Sequence, residues 1–239
     1  MENKYPQKTG IDTVLKTAFG YWSSTLKFQV IFSLLYLSIL FMVYYFFASK
    51  YGIISQLEEA SELISDFSAY NAELMKISKS QEWYHMTLII IGTLVFLFPL
   101  NIGVFLIFRK LDLKEPLELS DLFIGYRGIN FFKYISFYLF WFVIYTYTAP
   151  TVILGIIWVL ITLFSAPLMF FMDKRFFETM ELNFKVLKSN LLEILVCVLV
   201  GFLFKYSGIL LCGVGFLLTF PFMNAIIYTL YQKYFKEVD

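Results

Sequence analysis

The stretch that decides the fold runs from Asn130 to Met172 and reads NFFKYISFYLFWFVIYTYTAPTVILGIIWVLITLFSAPLMFFM. Its single charged residue is Lys133. A helix needs about 20 mostly apolar residues to cross roughly 30 Å of hydrocarbon. The stretch therefore predicts two transmembrane helices, about 130–147 and about 150–172, joined by a very tight turn at Thr148 and Ala149.

Four more apolar stretches lie on either side, at about 28–47, 85–108, 191–204 (the shortest) and 208–231. They lack the period-two alternation of barrel strands, and most greatly exceed the length of about 10 residues that such strands have. The chain is 59% apolar and 15% charged, whereas soluble domains carry about 25% charged residues. The composition excludes a soluble globular protein. It predicts an all-α integral membrane protein of six transmembrane helices in one membrane domain, residues 1–239.

The distribution of basic residues predicts that both termini are cytoplasmic. With the N-terminus inside, fifteen of the nineteen lysines and arginines fall at cytoplasmic ends, which is the bias that cytoplasmic loops show. The four on the outer side are Lys50, Lys76, Lys79 and Lys205. This orientation places the long loop 49–84 in the periplasm or the extracellular space.

Prolines in similar settings suggest a threefold internal repeat. Pro99, Pro167 and Pro221 each lie in the second helix of a predicted hairpin, ahead of a basic inner end. A short amphipathic stretch, residues 176–187 in the third unit, precedes the first helix of each hairpin. An offset of 165 residues aligns Ser24 with Ser189. The alternative is coincidence, because prolines are common in membrane helices. We predict three units, each an interfacial helix followed by a hairpin, at about 9–112, 117–173 and 174–234.

The last of these units carries a resemblance. It contains FKVLKSN at 184–190, LCGVGFLLTFPF at 211–222 and IYTLYQ at 227–232. This pattern resembles a broad group of six-helix bacterial inner-membrane proteins, similar to the membrane domain of some glycerophosphodiester phosphodiesterases. The resemblance covers mainly residues 174–234. It implies a six-helix fold in a bacterial inner (cytoplasmic) membrane and supplies no activity.

The outer loop 49–84 has a helical pattern of its own. Apolar residues recur at helical spacing from Ile53 to Ile77, and six acidic residues oppose three lysines. One interpretation is a helix that lies on the membrane boundary or packs on the outer end of the bundle. The other is a surface for a protein partner or a second copy. The residues of that surface would be Leu57, Leu63, Phe67 and Leu74.

Polar residues within the apolar stretches are the other candidate site residues. Asn101 and Asn224 follow two of the prolines. There they could bind carbonyls freed by a kink, hydrogen-bond between helices or, with the three prolines, line a cavity.

Two charged residues, Glu193 and Lys205, lie in the fifth apolar stretch. Twelve residues of helix separate them by about 18 Å, so they cannot pair with each other. We expect Glu193 to pair with Lys27 or Lys133. The alternatives are snorkelling at the interface, a proton relay or a ligand site.

Little in the sequence points to chemistry. One histidine and two cysteines are too few for a multi-ligand metal site, and the net charge of +1 does not favour nucleic acid. We expect no catalytic, cofactor or metal site, and partners that are membrane lipids and a protein or a second copy. The favoured hypothesis is a non-enzymatic accessory or assembly subunit of an envelope complex. The alternatives are a lipid or amphiphile carrier and, less favoured, an intramembrane enzyme.

Overall fold

The computed structural model describes residues 10–210 and 213–235, and every regular element in these ranges is a helix. The α-helices are α1 Ile11–Ser24, α2 Leu26–Lys50, α3 Ile53–Ser61, α4 Phe67–Ser78, α5 Gln81–Leu97, α6 Pro99–Asp112, α7 Asn130–Thr148, α8 Val152–Ile161, α9 Ser165–Phe171, α10 Phe176–Ser207, α11 Val214–Thr219 and α12 Phe222–Phe235. Two 3-10 segments, Leu119–Tyr126 and Gly208–Leu210, complete the list.

Several of these helices could cross a membrane. Five stretches are long and apolar enough: Leu26–Lys50, Gln81–Asp112, Val152–Phe171, Phe176–Leu210 and Val214–Phe235. A sixth is present if the 3-10 segment Leu119–Tyr126 and the helix from Phe131 to Thr148, which meet at 70°, form one broken span. The predicted helical class is confirmed, and the apolar helices are consistent with a multi-pass membrane protein.

The chain divides into two compact units. One comprises Leu35–Leu97, and the other comprises the chain up to Leu34 together with the chain from Phe98 onward.

The smaller unit holds the long outer loop, and its core is Ala48, Ile53 and Met86. The loop forms two helices, α3 and α4, rather than one continuous helix. Asp66 separates them, because its carboxylate accepts from the backbone N–H groups of Ser68 and Ala69 and so caps α4.

In the larger unit, the 3-10 segment Leu119–Tyr126 packs directly on α6. Gly103 permits this, because a Cβ atom there would lie 2.2 Å from the Leu122 carbonyl oxygen. An ion pair closes the contact, with Lys110 Nζ 2.7 Å from a carboxylate oxygen of the buried Asp121. The segment is therefore fixed along α6, from Lys110 near its end to Pro99 at its start, where a Cβ atom on Gly125 would lie 2.4 Å from the Pro99 carbonyl oxygen.

Helix α12 lies among α1, α6, α9 and α10 in the same unit. Many of its side chains are buried, including Asn224, Tyr228 and Thr229. Other helices in the larger unit also turn polar residues inward and large apolar residues outward: Thr179 and Asn183 of α10 are fully buried, while Phe177 and Phe184 are exposed. Lipid-facing helices show this pattern, since lipid solvates apolar side chains and leaves polar ones to bond between helices.

Helix breaks occur at the places that the sequence pattern marks. The backbone leaves helical geometry at Thr25 (φ −112°, ψ 20°), between α1 and α2, and at Asn190 (φ −134°, ψ 23°), within α10. The prolines also lie at breaks: Pro99 begins α6, Pro221 immediately precedes α12, and Pro167 lies in the first turn of α9. Proline lacks the N–H that a continuous helix needs, which accounts for the interruptions at these points.

Candidate functional site

Two of the proline breaks meet through their asparagines. The Asn224 side-chain amide donates to the side-chain oxygen of Asn101 over 3.0 Å. Asn101 in turn donates from its side chain to the Phe98 carbonyl, 3.0 Å away, immediately before Pro99. The two predicted site residues are therefore brought together, and their amides bond to each other and to the backbone at the break.

The break before Pro167 is closed by a different polar cluster. The side-chain oxygen of Asn183 accepts from the Phe164 N–H at 2.9 Å, and its amide donates to the Thr179 carbonyl. The Thr179 hydroxyl donates to the Ser165 hydroxyl at 2.8 Å. The sequence analysis used only the apolar residues of the amphipathic stretch 176–187. It therefore did not predict that Thr179 and Asn183 form a buried polar face.

At the third break, before Pro221, two backbone carbonyls accept hydrogen bonds from side chains, and a lysine lies against an aromatic ring. The Trp22 indole N–H donates to the Leu218 carbonyl at 2.8 Å, and the Thr219 hydroxyl donates to the Lys205 carbonyl. The Lys205 ammonium lies 4.6 Å from the centre of the Phe220 ring, a cation–π distance. Lys205 thus lies against the aromatic residues of this break.

The three prolines are buried, and the polar groups around them are bonded within the protein. Three cavities in the described residues are lined elsewhere: one by α7, α8 and α10, one by the start of α7 with the start of α10, and one by α1 with the ends of α6 and α12. None of these three is lined by Pro99, Asn101, Pro167, Pro221 or Asn224.

Glu193 has a different partner from the expected one. Its carboxylate forms an ion pair with Lys233 and accepts from the Tyr234 hydroxyl at 3.0 Å. The prediction of Lys27 or Lys133 was wrong. Lys133 instead contacts Asp173 at 2.6 Å and the Met169 carbonyl at 3.0 Å. The helical register of α12 supplies both partners of Glu193, which lie 40 or more positions away in sequence.

A carboxylate network that the sequence analysis missed lies at the end of α6. Asp112 accepts from the Tyr21 hydroxyl at 2.5 Å and from the Tyr228 hydroxyl at 2.7 Å. Burial, and then the hydrogen bond to Asp112, raise the pKa of Tyr21 well above its ordinary value of 10.0. Tyr21 therefore remains a neutral donor at physiological pH, and it ties α1 to α6.

A polar cleft of about 430 Å³ opens beside this network. Its lining includes Thr13 and Thr17 of α1, Asp112, and Gln232 of α12. The amide of Gln232 lies 3.4 Å from Asp112 and 2.5 Å from the Tyr228 hydroxyl. The cleft offers hydroxyl, amide and carboxylate groups, and two of its donors, the Tyr21 hydroxyl and the Gln232 amide, are directed at Asp112.

The outer-loop residues fall into two groups. Leu57 packs against the core of the smaller unit, and Leu74 is half-buried. Leu63 and Phe67 are exposed, Phe67 to 76%. Two further apolar side chains are also exposed: Ile64 in the turn between α3 and α4, and Met75 on α4. The exposed surface is therefore centred on the turn between α3 and α4; we call Leu63, Ile64 and Phe67 the outer apolar patch.

The described residues contain no cluster of three or more histidine, cysteine, aspartate or glutamate side chains that could hold a metal ion. No protein-family model, curated protein or solved structure matches the chain. The resemblance to the six-helix bacterial proteins stays a prediction.

Proposed function

We propose that this chain is a non-enzymatic accessory or assembly subunit of a bacterial envelope complex, acting through helix contacts and the outer helices α3 and α4. The observation that carries the proposal is the outer apolar patch. Ile64 is 66% exposed and Phe67 76% exposed, in a segment rich in acidic residues. A cluster of exposed apolar side chains with a polar rim is a common feature of protein interaction sites.

The polar groups inside the helices support the same proposal. Asn101, Asn224 and Glu193 are engaged by partners within the protein. Such bonds fix helices against each other. They leave few ionisable groups to couple transport to an ion or a proton, so a role through contacts fits these groups better.

We further propose six spans with both termini in the cytoplasm of a bacterial cell, built as three repeats. The positive charge bias supports the orientation. The helix breaks support the repeat, since Thr25 and Asn190 are separated by the same 165 residues that align Ser24 with Ser189. The three proline-interrupted helices add to this support.

A second candidate function is a carrier of lipids or other amphiphiles. The observation in its favour is the cavity of about 570 Å³ between α7, α8 and α10. Apolar side chains such as Val152, Ile156, Leu195 and Phe202 line it, so it suits an acyl chain. In this form the carrier hypothesis relies on the groove lined by α7, α8 and α10.

The two functions are separated by purifying the full chain in native nanodiscs and identifying bound proteins and lipids by mass spectrometry. The variant is Ile64→Ser with Phe67→Ser. The control is Leu113→Ser with Leu119→Ser, two exposed apolar residues of the larger unit. We expect a stoichiometric protein that is lost in the variant and kept in the control. A bare chain that retains one defined lipid in both variants would instead support the carrier.

A further inference from the structure

A second groove, of about 590 Å³, lies where α7 begins and α10 begins. Its lining includes Lys133, Phe137 and Phe140 of α7, with Arg175, Phe176 and Phe177 at the start of α10. We call it the basic groove. It lies within the larger unit, and no residue of α3 or α4 is among its lining residues.

The position of the basic groove puts it at a membrane surface. The candidate span Val152–Phe171 ends next to it, and the candidate span Phe176–Leu210 begins in it. Residues at the junction of two successive spans lie at the boundary between hydrocarbon and water. Any molecule that fills the groove must therefore suit both environments.

Aromatic side chains form the apolar side of the groove. The Phe176 ring packs on Phe137 at 5.3 Å and on Phe140 at 5.4 Å between ring centres. Phe140 and Phe177 remain exposed, to 43% and 74%. An acyl chain would cover these exposed rings, whereas a small inorganic anion would not.

The charged side carries one excess positive charge. The lining contains Lys133 and Arg175. Lys174, Asp173 and Glu178 adjoin Arg175 in sequence, so three basic residues stand against two acidic ones. Lys133 is held in place by Asp173 and the Met169 carbonyl, and Glu178 accepts from the backbone N–H of Arg175. The exposed Arg175 guanidinium remains at the rim, with a fork of donors that suits phosphate oxygens.

We propose that the basic groove is a binding site for one anionic phospholipid. The phosphate lies at Arg175 with Lys133 behind it, and an acyl chain lies over Phe140 and Phe177. The excess positive charge favours an anionic lipid over a zwitterionic one. This inference does not rest on the proposed accessory role, because the outer apolar patch takes no part in it.

Native mass spectrometry of the full chain in detergent, titrated with phosphatidylglycerol, tests the site. We expect Arg175→Gln to weaken binding of the first lipid about tenfold, as loss of a charge-assisted hydrogen bond does. The matched control is Lys188→Gln, which removes one positive charge from an exposed position of the same helix outside the groove. We expect the control to bind like the unaltered chain.

Two further comparisons define the occupant. Phe177→Ser, which keeps every charge, should also weaken phosphatidylglycerol binding. Phosphatidylcholine and inorganic phosphate should bind more weakly than phosphatidylglycerol to the unaltered chain. The proposal is overturned if Arg175→Gln leaves phosphatidylglycerol binding unchanged, or if Lys188→Gln weakens this binding as much as Arg175→Gln does. It is also overturned if Phe177→Ser leaves this binding unchanged. Binding of phosphatidylcholine or inorganic phosphate as tight as that of phosphatidylglycerol would overturn it as well. Thermal unfolding of each variant shows that it is folded.

Discussion

Asn224 bonds to Asn101, 123 positions earlier, and Tyr228 bonds to Asp112, 116 positions earlier. Burying any of these polar side chains away from water without a hydrogen-bond partner costs free energy. The sequence predicts that Asn101 and Asn224 satisfy polar groups near the kinks. It does not reveal that they satisfy each other, because that depends on how α12 lies against α6.

A double-mutant cycle tests the asparagine pair. We expect Asn101→Ala and Asn224→Ala each to lower the free energy of unfolding by about 1 kcal/mol, the usual contribution of a polar contact between membrane helices. The double variant should lose less than the sum, because either substitution alone breaks the shared bond. Unfolding in a denaturing-detergent titration measures this.

Asn71→Ala is the control, since Asn71 is exposed on α4. It should leave the free energy of unfolding unchanged. Strict additivity of the two substitutions at Asn101 and Asn224 would contradict the pairing.

At the scale of elements, the apolar runs predict helix positions well. The predicted helix at about 130–147 is observed as α7, Asn130–Thr148. The outer loop is less regular than its periodicity indicates, because Asp66 competes for backbone N–H groups and begins a new helix. The fifth apolar stretch is predicted to begin at Leu191 but continues the helix from Phe176, with Asn190 as the break. Hydrophobicity marks where the apolar part begins, next to the break, but does not reveal that one helix continues on both sides of it.

The Asp66 cap is the feature of the outer helices most open to test. Asp66→Ala should destabilise the first turn of α4 by about 1 kcal/mol, since two backbone N–H groups lose their acceptor. Hydrogen exchange over residues 67–70 should accelerate. Glu62→Ala removes the same charge from an exposed neighbouring position and should leave this exchange unchanged. Equal acceleration in both variants would show that charge, rather than capping, controls the turn.

At the scale of the whole molecule, many large apolar side chains are exposed, while several polar ones such as Ser33, Thr179 and Asn183 are fully buried beside the apolar core. The composition predicts the membrane environment because it depends only on totals. The Asp112 network and the partners of Glu193 escape prediction, since Tyr21, Asp112 and Tyr228 are too far apart in sequence to form a periodic pattern. Charge counting predicts an orientation, and this is open to direct measurement.

The orientation can be tested by cysteine labelling in intact bacterial cells, on a background with Cys197 and Cys212 replaced by Ala. A membrane-impermeant maleimide should label Ser65→Cys, in the outer loop, without permeabilisation. Ser120→Cys, in the segment after α6, should react only once the membrane is opened. The reverse pattern would invert the proposed topology, and each variant serves as the control for the other.

The position of α12 has a consequence for biosynthesis. Three earlier residues bond to residues of the last described helix: Asn101 to Asn224, Asp112 to Tyr228 and Glu193 to Lys233. When a nascent chain inserts its earlier spans, these three side chains do not yet have their partners on α12. Those partners become available only after α12 has been synthesised. A ribosome that stops before residue 224 therefore releases a protein in which Glu193 lacks Lys233 and Tyr234, Asp112 keeps only Tyr21 of its two tyrosines, and Asn101 lacks Asn224. Polar groups left in this way are the kind of defect that membrane proteases and insertion chaperones can recognise.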